Sequence, residues 1–438
     1  MYDVCIIGGG VLGCAVAREL SRYSLSVAVL ESADDVCCAE PAAGGIVCAA
    51  RTLAPFRPAA AKYAATGEKM FRAYAAALGV PYMQTGCMTA FFDDADGARM
   101  LAVNARRCGV GCTELTGEEA VAVEPALASA HILRAAYFPN AGVVDACAFV
   151  YALRRNAERN GAEFIFGFTL SSAEFTADGA SLRSSSGEVV EARRVVNCAG
   201  NGGGQVARAL GDFIYISHRS GNYAYADVPS RPSMPVFFER AGYVSPDPRG
   251  GYFVGADTAD CARTVPEVTG APDARRALRD RAGLSAENAA GYADVRALMR
   301  GGDLYEARGK SPCVLHLLGA GAFGITVAPA LATAYARSLR AEKCADFLPV
   351  ERGIVRAAAL SAAERNALAS RKPLYANVVM TDPYVTEGEI AEAIARGARS
   401  LQGAARRLLP GRAEPDARFA EAFGRLTEPE GRGARTCP

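Results

Sequence analysis

Residues 2 to 31 read as one unit, and no other stretch restricts the fold as tightly. An apolar strand over Val4, Cys5, Ile6 and Ile7 runs into a turn carrying Gly8, Gly10 and Gly13, then a helix from about Val11, a second strand over Ser26–Leu30, and Glu31. That order is a dinucleotide-binding βαβ fingerprint: Gly8 permits the tight turn, Gly10 lets a pyrophosphate approach the backbone, and Gly13 lets helix and strand pack closely. The phosphates then sit beside Val11 and Leu12 at the helix N-terminus, where unpaired N–H groups and the dipole favour an anion. Glu31 stands where an acid reaches a ribose hydroxyl pair, and an acid there argues against a 2′-phosphate. A plain strand-to-helix turn also uses glycines. Here the strand is of the buried type and the helix is amphipathic, with Leu12, Val16 and Leu20 on one face and Arg18, Glu19 and Arg22 on the other.

At 438 residues the chain is too long for one small core and suits two or three domains. With 48 basic against 47 acidic side chains there is no basic field to invite nucleic acid. The first strand begins at Tyr2, which leaves no room for a signal peptide, and no apolar run approaches the roughly 20 residues that span a bilayer. A cytoplasmic protein is expected, with contact at the inner face of the membrane or between copies left open. The 14 cysteines are spread singly; Cys37/Cys38 and Cys108/Cys112 lack a second pair at zinc spacing, so no metal site is expected and most thiols read as small buried hydrophobes.

Beyond the fingerprint, a glycine- and alanine-rich turn spans Ala42–Ala50. A helix follows over Ala59–Leu78, with Tyr63, Met70, Phe71 and Tyr74 as a buried stripe. Short strands such as Met88–Phe92 interrupt 81–140; an amphipathic helix then carries Phe149, Leu153 and Ala157, and Glu163–Leu170 reads as a strand. Val195–Val196–Asn197 runs into Cys198–Ala199–Gly200, which brings a second backbone close to a ligand. Tyr215–Ala226 and Gly251–Ala256 alternate as antiparallel strands that would wall a substrate pocket. A charged helical stretch covers Pro272–Ala289. Leu315–Leu318 then leads through Gly319, Gly321 and Gly324 to a helix over about Ala328–Ala341, which reads either as a second anion-friendly terminus or as an ordinary turn.

Taken in order, YDVCIIGGGVLGCAVARELSRY, FPNAGVVDACAFVYALRRNAERNGAEF, VVNCAG, GYADVRAL and GAGAFGITVAPALA resemble the FAD-dependent oxidoreductases of the D-amino-acid-oxidase type. Within that family they are most similar to the anaerobic glycerol-3-phosphate dehydrogenase large subunit and L-2-hydroxyglutarate dehydrogenase. The resemblance implies an α/β fold: a Rossmann-like FAD-binding domain over 1–80, 141–208 and 291–345, discontinuous with an antiparallel substrate domain over 81–140 and 209–290. A small helical domain would follow over 346–438. Non-covalent FAD would lie on Gly8, Gly10, Val11, Leu12, Gly13 and Glu31, with Leu170, Ala199 and Gly200 bordering adenine and pyrophosphate. Gly45 and Ile46 would approach the flavin. Gly319, Gly321, Phe323, Gly324 and Ile325 would cap it, the last two presenting N–H groups to the flavin N1/C2 carbonyl, where positive potential favours the anionic reduced ring. Arg296 matches the arginine that binds the substrate's carboxylate or phosphate, and Arg51 a second anion-binding arginine. Tyr223 or His218 would accept a hydrogen bond from the reacting hydroxyl; His218, like His131 and His316, also reads as a structural histidine.

Two positions depart from the family pattern. Cys48 stands where relatives usually carry a histidine beside the flavin. The segment Val385–Ile390 matches a ferredoxin-like module that binds a [2Fe–2S] cluster, yet Met380 and Asp382 occupy its Cys-x-Cys positions, and Pro415 and Ala420 fall near the other pair. Cys437 alone cannot supply four thiolates, so no cluster is expected. Electrons would leave from flavin to a quinone, oxygen or a redox partner protein. Three activities fit: hydride transfer from a small anionic secondary alcohol (glycerol 3-phosphate or a 2-hydroxy acid), oxidation of an amine or amino acid, or a non-catalytic FAD-binding subunit.

Overall fold

The computed structural model describes residues 1–36, 44–53, 56–239, 242–261, 276, 278–280, 282–409 and 414–427. Cys37, Cys38 and Cys437 lie outside these residues, as do the start of the turn at Ala42 and most of the stretch from Pro272 to Arg281. The chain forms two compact units, Met1–Arg352 and Gly353–Pro438.

The first unit is layered. Its six-stranded sheet runs Tyr305–Arg308, Val314–Leu318, Val195–Asn197, β1 (Val4–Ile7), β2 (Val27–Glu31) and Glu163–Phe166. All neighbours are parallel except Tyr305–Arg308. Every residue of β1 is buried, as suits a parallel strand covered on both faces. Helix α1 (Val11–Leu20) packs against the helices Ala146–Arg159 and Gly324–Ser338, and Pro58–Ala77 packs on Gly324–Ser338. Gly67 allows that last approach: a Cβ there would stand 1.9 Å from the Thr326 carbonyl oxygen.

An eight-stranded sheet runs Glu287–Leu298, Ser217–Asp227, Tyr252–Cys261, Gly242–Pro246, Val236–Phe238, Cys87–Phe91, Arg134–Phe138 and Thr113–Thr116. Its strands pair antiparallel apart from Val236–Phe238 with Cys87–Phe91. Side chains alternate across its plane. Ala224, Ala226, Val236, Phe238, Val244 and Val254 build a separate core on one face. Tyr223, Phe237, Tyr243 and Phe253 turn the other way and join the core of the first layer.

Several boundaries move. The 290/291 border cuts through strand Glu287–Leu298, so Arg296 belongs to the antiparallel sheet, and residues 287–289 are strand rather than helix. Glu163–Leu170 is two pieces, Glu163–Phe166 and a strand beginning at Leu170, divided at Gly167, whose φ is +73°. The late helix starts at Gly324, four residues before the position read from sequence, directly after a 3₁₀ turn over Gly321–Phe323. The second unit begins at Gly353 rather than at 346. It pairs Val378–Thr381 with Tyr384–Thr386 and packs the helices Glu387–Ala395, Leu401–Leu408 and Ala417–Thr427 around Met380, Val385, Ile390, Leu408 and Phe419.

Candidate active site

The fingerprint turn is built so that only glycine fits at two positions. Gly8 has φ +106° and a Cβ there would stand 2.7 Å from the Cys198 carbonyl oxygen; at Gly13 a Cβ would stand 1.9 Å from the Gly8 carbonyl oxygen. The Glu31 carboxylate accepts from the Gly9 amide at 2.6 Å and the Ala33 amide at 2.9 Å, which fixes it at the mouth of the turn. Opposite lies Cys198–Ala199–Gly200, joined to β1 by the Cys198 amide donating to the Ile7 carbonyl at 2.8 Å. Leu170 and Ala199 pack against the apolar cluster that includes Ile7 and Leu30, at the ends of β1 and β2. A buried relay holds this second turn. Asn197 Oδ1 accepts from the Ala199 amide at 3.1 Å, and its Nδ2 donates to the Gly203 carbonyl at 3.0 Å and to His316 Nδ1 at 3.1 Å. With Nδ1 accepting, His316 Nε2 donates to Asp212 Oδ2 at 3.0 Å. Burial alone would lift the Asp212 carboxyl, but the hydrogen bonds from His316 and the Lys310 amide, with the Lys310 ammonium charge, hold it below its ordinary value.

At the far end, Gly45 (φ +62°) passes so close to strand Gly142–Val144 that a Cβ would stand 1.9 Å from the Val144 carbonyl oxygen. Ile46 and Val47 pair with Val143 and Gly142, and the Cys48 amide donates to Thr326 Oγ1 at 3.2 Å, tying this loop to the first turn of Gly324–Ser338. Gly319 (φ +74°), Gly321 (φ +42°) and Phe323 form the turn before that helix, whose N-terminus carries no side-chain cap. A 15-residue helix entered in this way offers backbone N–H groups and a positive dipole end at Gly324 and Ile325.

The face of the eight-stranded sheet that looks toward this turn is lined with guanidinium groups. Arg296 lies 5.2 Å from the Tyr223 ring centroid, and Arg219 is its direct cross-strand partner. Arg51, on the short 3₁₀ turn Ala49–Thr52, lies 4.7 Å from the Phe237 ring centroid. Arg57 donates from Nε to the Gly302 carbonyl at 2.7 Å and from Nη1 to the Arg51 carbonyl, and lies 5.9 Å from the Phe323 ring centroid. Burial first, then the charges of Arg296 and Arg57, lower the Arg51 pKa; burial and then Arg219 act against the cation of Arg57, where Asp303 favours it. Arg51 is nonetheless solvent-exposed. Tyr243 stands beside Arg51 and against Phe237, 5.6 Å between ring centroids.

Two candidates do not join this group. His218 alternates with Arg219 and so faces away from Tyr223; its Nε2 pairs with the Asn201 carbonyl at 3.2 Å, which makes it a structural histidine. Cys48 is 1 % exposed and its Sγ accepts from the Ala50 amide at 3.4 Å. Burial, then Cys87 and Glu68, push the thiol well up, so it stays neutral and acts as cap and packing. Arg57, Arg219 and Tyr243 escaped the sequence reading. Period two along Ser217–Asp227 is the signal that puts Arg219 with Tyr223; Arg57 carries no local signal.

The two turns and the late helix form the cradle that FAD needs. Gly8 and Gly13 lack the Cβ atoms that would close this backbone to a diphosphate, the Glu31 carboxylate is held beside the same turn, and the Gly324 helix has an N-terminus without a side-chain cap. The chain belongs to the FAD dependent oxidoreductase family, whose model matches residues 3–338. Among curated proteins it is similar to glycerol 3-phosphate dehydrogenase of Caloramator mitchellensis, with 27% identity over 94% of this chain and 90% of that protein. It is also similar to L-2-hydroxyglutarate dehydrogenase of Escherichia coli K12, with 24% identity over 48% of this chain and 50% of that protein. Among solved structures, L-alpha-glycerophosphate oxidase from Mycoplasma pneumoniae, with FAD bound, shares the fold at a TM-score of 0.72 and 19% identity, over 80% of this chain and 98% of that one. Glycine oxidase from Geobacillus kaustophilus does so at a TM-score of 0.67 and 22% identity, over 81% and 99%.

Proposed function

We propose that the chain oxidises a small anionic secondary alcohol, glycerol 3-phosphate or a 2-hydroxy acid such as L-2-hydroxyglutarate. The observation that carries this reading is the pair of guanidinium groups, Arg296 on the eight-stranded sheet and Arg51 on the 3₁₀ turn Ala49–Thr52, each set against an aromatic ring of that sheet. The names of the similar dehydrogenases, one matched over 94% of this chain and the other over 48%, support the choice of an alcohol over an amine.

Bound FAD supplies the hydride acceptor. Gly8, Gly10, Val11, Leu12 and Gly13 would hold its diphosphate, Glu31 its ribose, and Leu170, Ala199 and Gly200 the adenosine side. Gly45, Ile46, Gly319, Gly321 and Phe323 would border the ring, with the Gly324 and Ile325 N–H groups donating to the ring carbonyl. Arg296 and Arg51 clamp the anionic end of the substrate by charge-assisted hydrogen bonds, which fixes the carbinol carbon relative to the turn. The Tyr223 hydroxyl receives the hydrogen bond of the reacting alcohol. We assign FAD binding to the six-stranded layer, substrate binding to the eight-stranded sheet, and no cluster to the second unit; the acceptor of the flavin's electrons would then be a quinone, oxygen or a redox partner. Among the described residues no helix is long and apolar enough to cross a membrane.

Anaerobic stopped-flow mixing tests the reading. Glycerol 3-phosphate or L-2-hydroxyglutarate should bleach the flavin band while glycine does not; bleaching by amines alone, or by none of the three, rejects it.

A further inference from the structure

We propose that Glu68 is a proton site linked to the flavin: a carboxylate while the bound ring is oxidised, and a carboxylic acid once the ring has taken an electron pair. The inference deepens the reading above and rests on its assignment of Gly45, Ile46, Gly324 and Ile325 to the ring, though not on the substrate.

Glu68 lies in helix Pro58–Ala77 and is 4 % exposed. Its Oε2 accepts from the Ala49 amide at 2.7 Å, just past the loop of Ile46, and the Cys48 amide donates to Thr326 Oγ1 at 3.2 Å. Its chain neighbour Gly67 backs onto the carbonyl of the same Thr326. The residue is therefore placed where the two segments assigned to the ring join.

Few charged or titratable groups share this place. Cys48 faces Glu68 from the loop and Tyr82 from strand Tyr82–Met83; Lys69 follows it on its own helix, and Arg72 acts on Tyr82. Burial, ahead of the neighbouring charges, pushes the Cys48 thiol well up and the Tyr82 hydroxyl to about 12, so both stay protonated at neutral pH. Among the described residues Glu68 has no ion-pair partner. Burial lifts its carboxyl above the ordinary 4.5, against the Ala49 amide and the Lys69 charge, which favour the anion. A carboxyl held between such opposing influences is one that a further negative charge nearby converts to the acid.

Oxidation of a secondary alcohol sends the C–H electron pair to the flavin as hydride and releases the hydroxyl proton. The anionic reduced ring then carries one more negative charge than the oxidised ring. Uptake of one proton by the Glu68 carboxylate cancels that charge, so the site keeps its net charge and no net proton reaches solvent.

Midpoint potentials of the holoenzyme, taken with mediator dyes and no substrate, test the link. Each proton bound with an electron pair lowers the midpoint by about 30 mV per pH unit. Within about pH 5 to 8 the parent protein should pass through a stretch ~30 mV per unit steeper than Glu68→Gln. The two curves should meet at the acid end, where Glu68 is neutral in both flavin states. Above it they should part, with the variant more positive because it lacks the charge that opposes reduction. A reduced-minus-oxidised infrared spectrum of the parent should also gain a carboxylic acid C=O band that Glu68→Asp shifts, a readout that decides the matter if Glu68→Gln does not retain FAD. Parallel potential curves, or no such band, overturn the proposal. Failure of every secondary alcohol to bleach the flavin overturns the earlier reading instead, and the potentials, measured without substrate, still decide Glu68.

Discussion

Single atoms decide much at the two ends of the proposed FAD site. A Cβ at Gly13 would sit 1.9 Å from a backbone oxygen, a contact that no side-chain rotation relieves. Gly13→Ala is therefore expected to purify without flavin absorbance, and full FAD occupancy in that variant would show that the turn yields more than its packing suggests. Arg296 presents the opposite case, a side chain whose loss leaves the cradle intact. Arg296→Ala should raise the substrate concentration for half-maximal flavin bleaching by about 10²-fold with FAD still bound, consistent with losing a charge-assisted contact. Equal response in variant and parent would remove Arg296 from the substrate site.

Individual elements explain which of these residues could be read in advance. The fingerprint turn was legible because its chemistry is local: strand, glycines, helix and acid follow one another within a few turns of chain. Strand Ser217–Asp227 was legible as a strand, yet His218 and Tyr223 were grouped although period two places them on opposite faces, where Arg219 and Tyr223 belong together. Arg57 had no such signal, since its position depends on Gly302, which lies 245 residues away in the chain. The turn at Ala199 depends in the same way on a distant partner, through Asn197, His316 and Asp212. Because the Asp212 carboxyl is held below its ordinary value of 3.8, the stability it contributes is complete above that pH and is lost as pH falls below it through the folded value. Denaturant midpoints measured from pH 7 to pH 3 should fall for the parent protein at the acid end. Asp212→Asn should start lower at pH 7 and show a shallower acid limb; parallel curves would deny the relay any part in stability.

Across the whole molecule, every residue that we assign to FAD and to the anion falls in the first unit. The second unit has a capping box at Thr386–Glu389 and the helix that follows it, in the stretch whose sequence resembles a cluster-binding module. Its interior has a different content. Met380, at one cluster-cysteine position, is buried with Phe419, Val385 and Leu408 in a continuous apolar core, while Asp382 at the other is exposed. A [2Fe–2S] cluster needs thiolate ligands, and residues 353–438 contain one cysteine, Cys437. We propose that this unit, with its apolar core and single cysteine, holds no iron. Protein purified under argon should accordingly contain FAD without stoichiometric iron or acid-labile sulfide, and growth in iron-depleted medium should leave its melting temperature unchanged. Phe419→Ala should destabilise the second unit by about 3–5 kcal/mol, the usual cost of emptying a buried aromatic site. Iron recovered in proportion to flavin, lost together with stability on chelation, would reverse the assignment and return the electron path to a cluster.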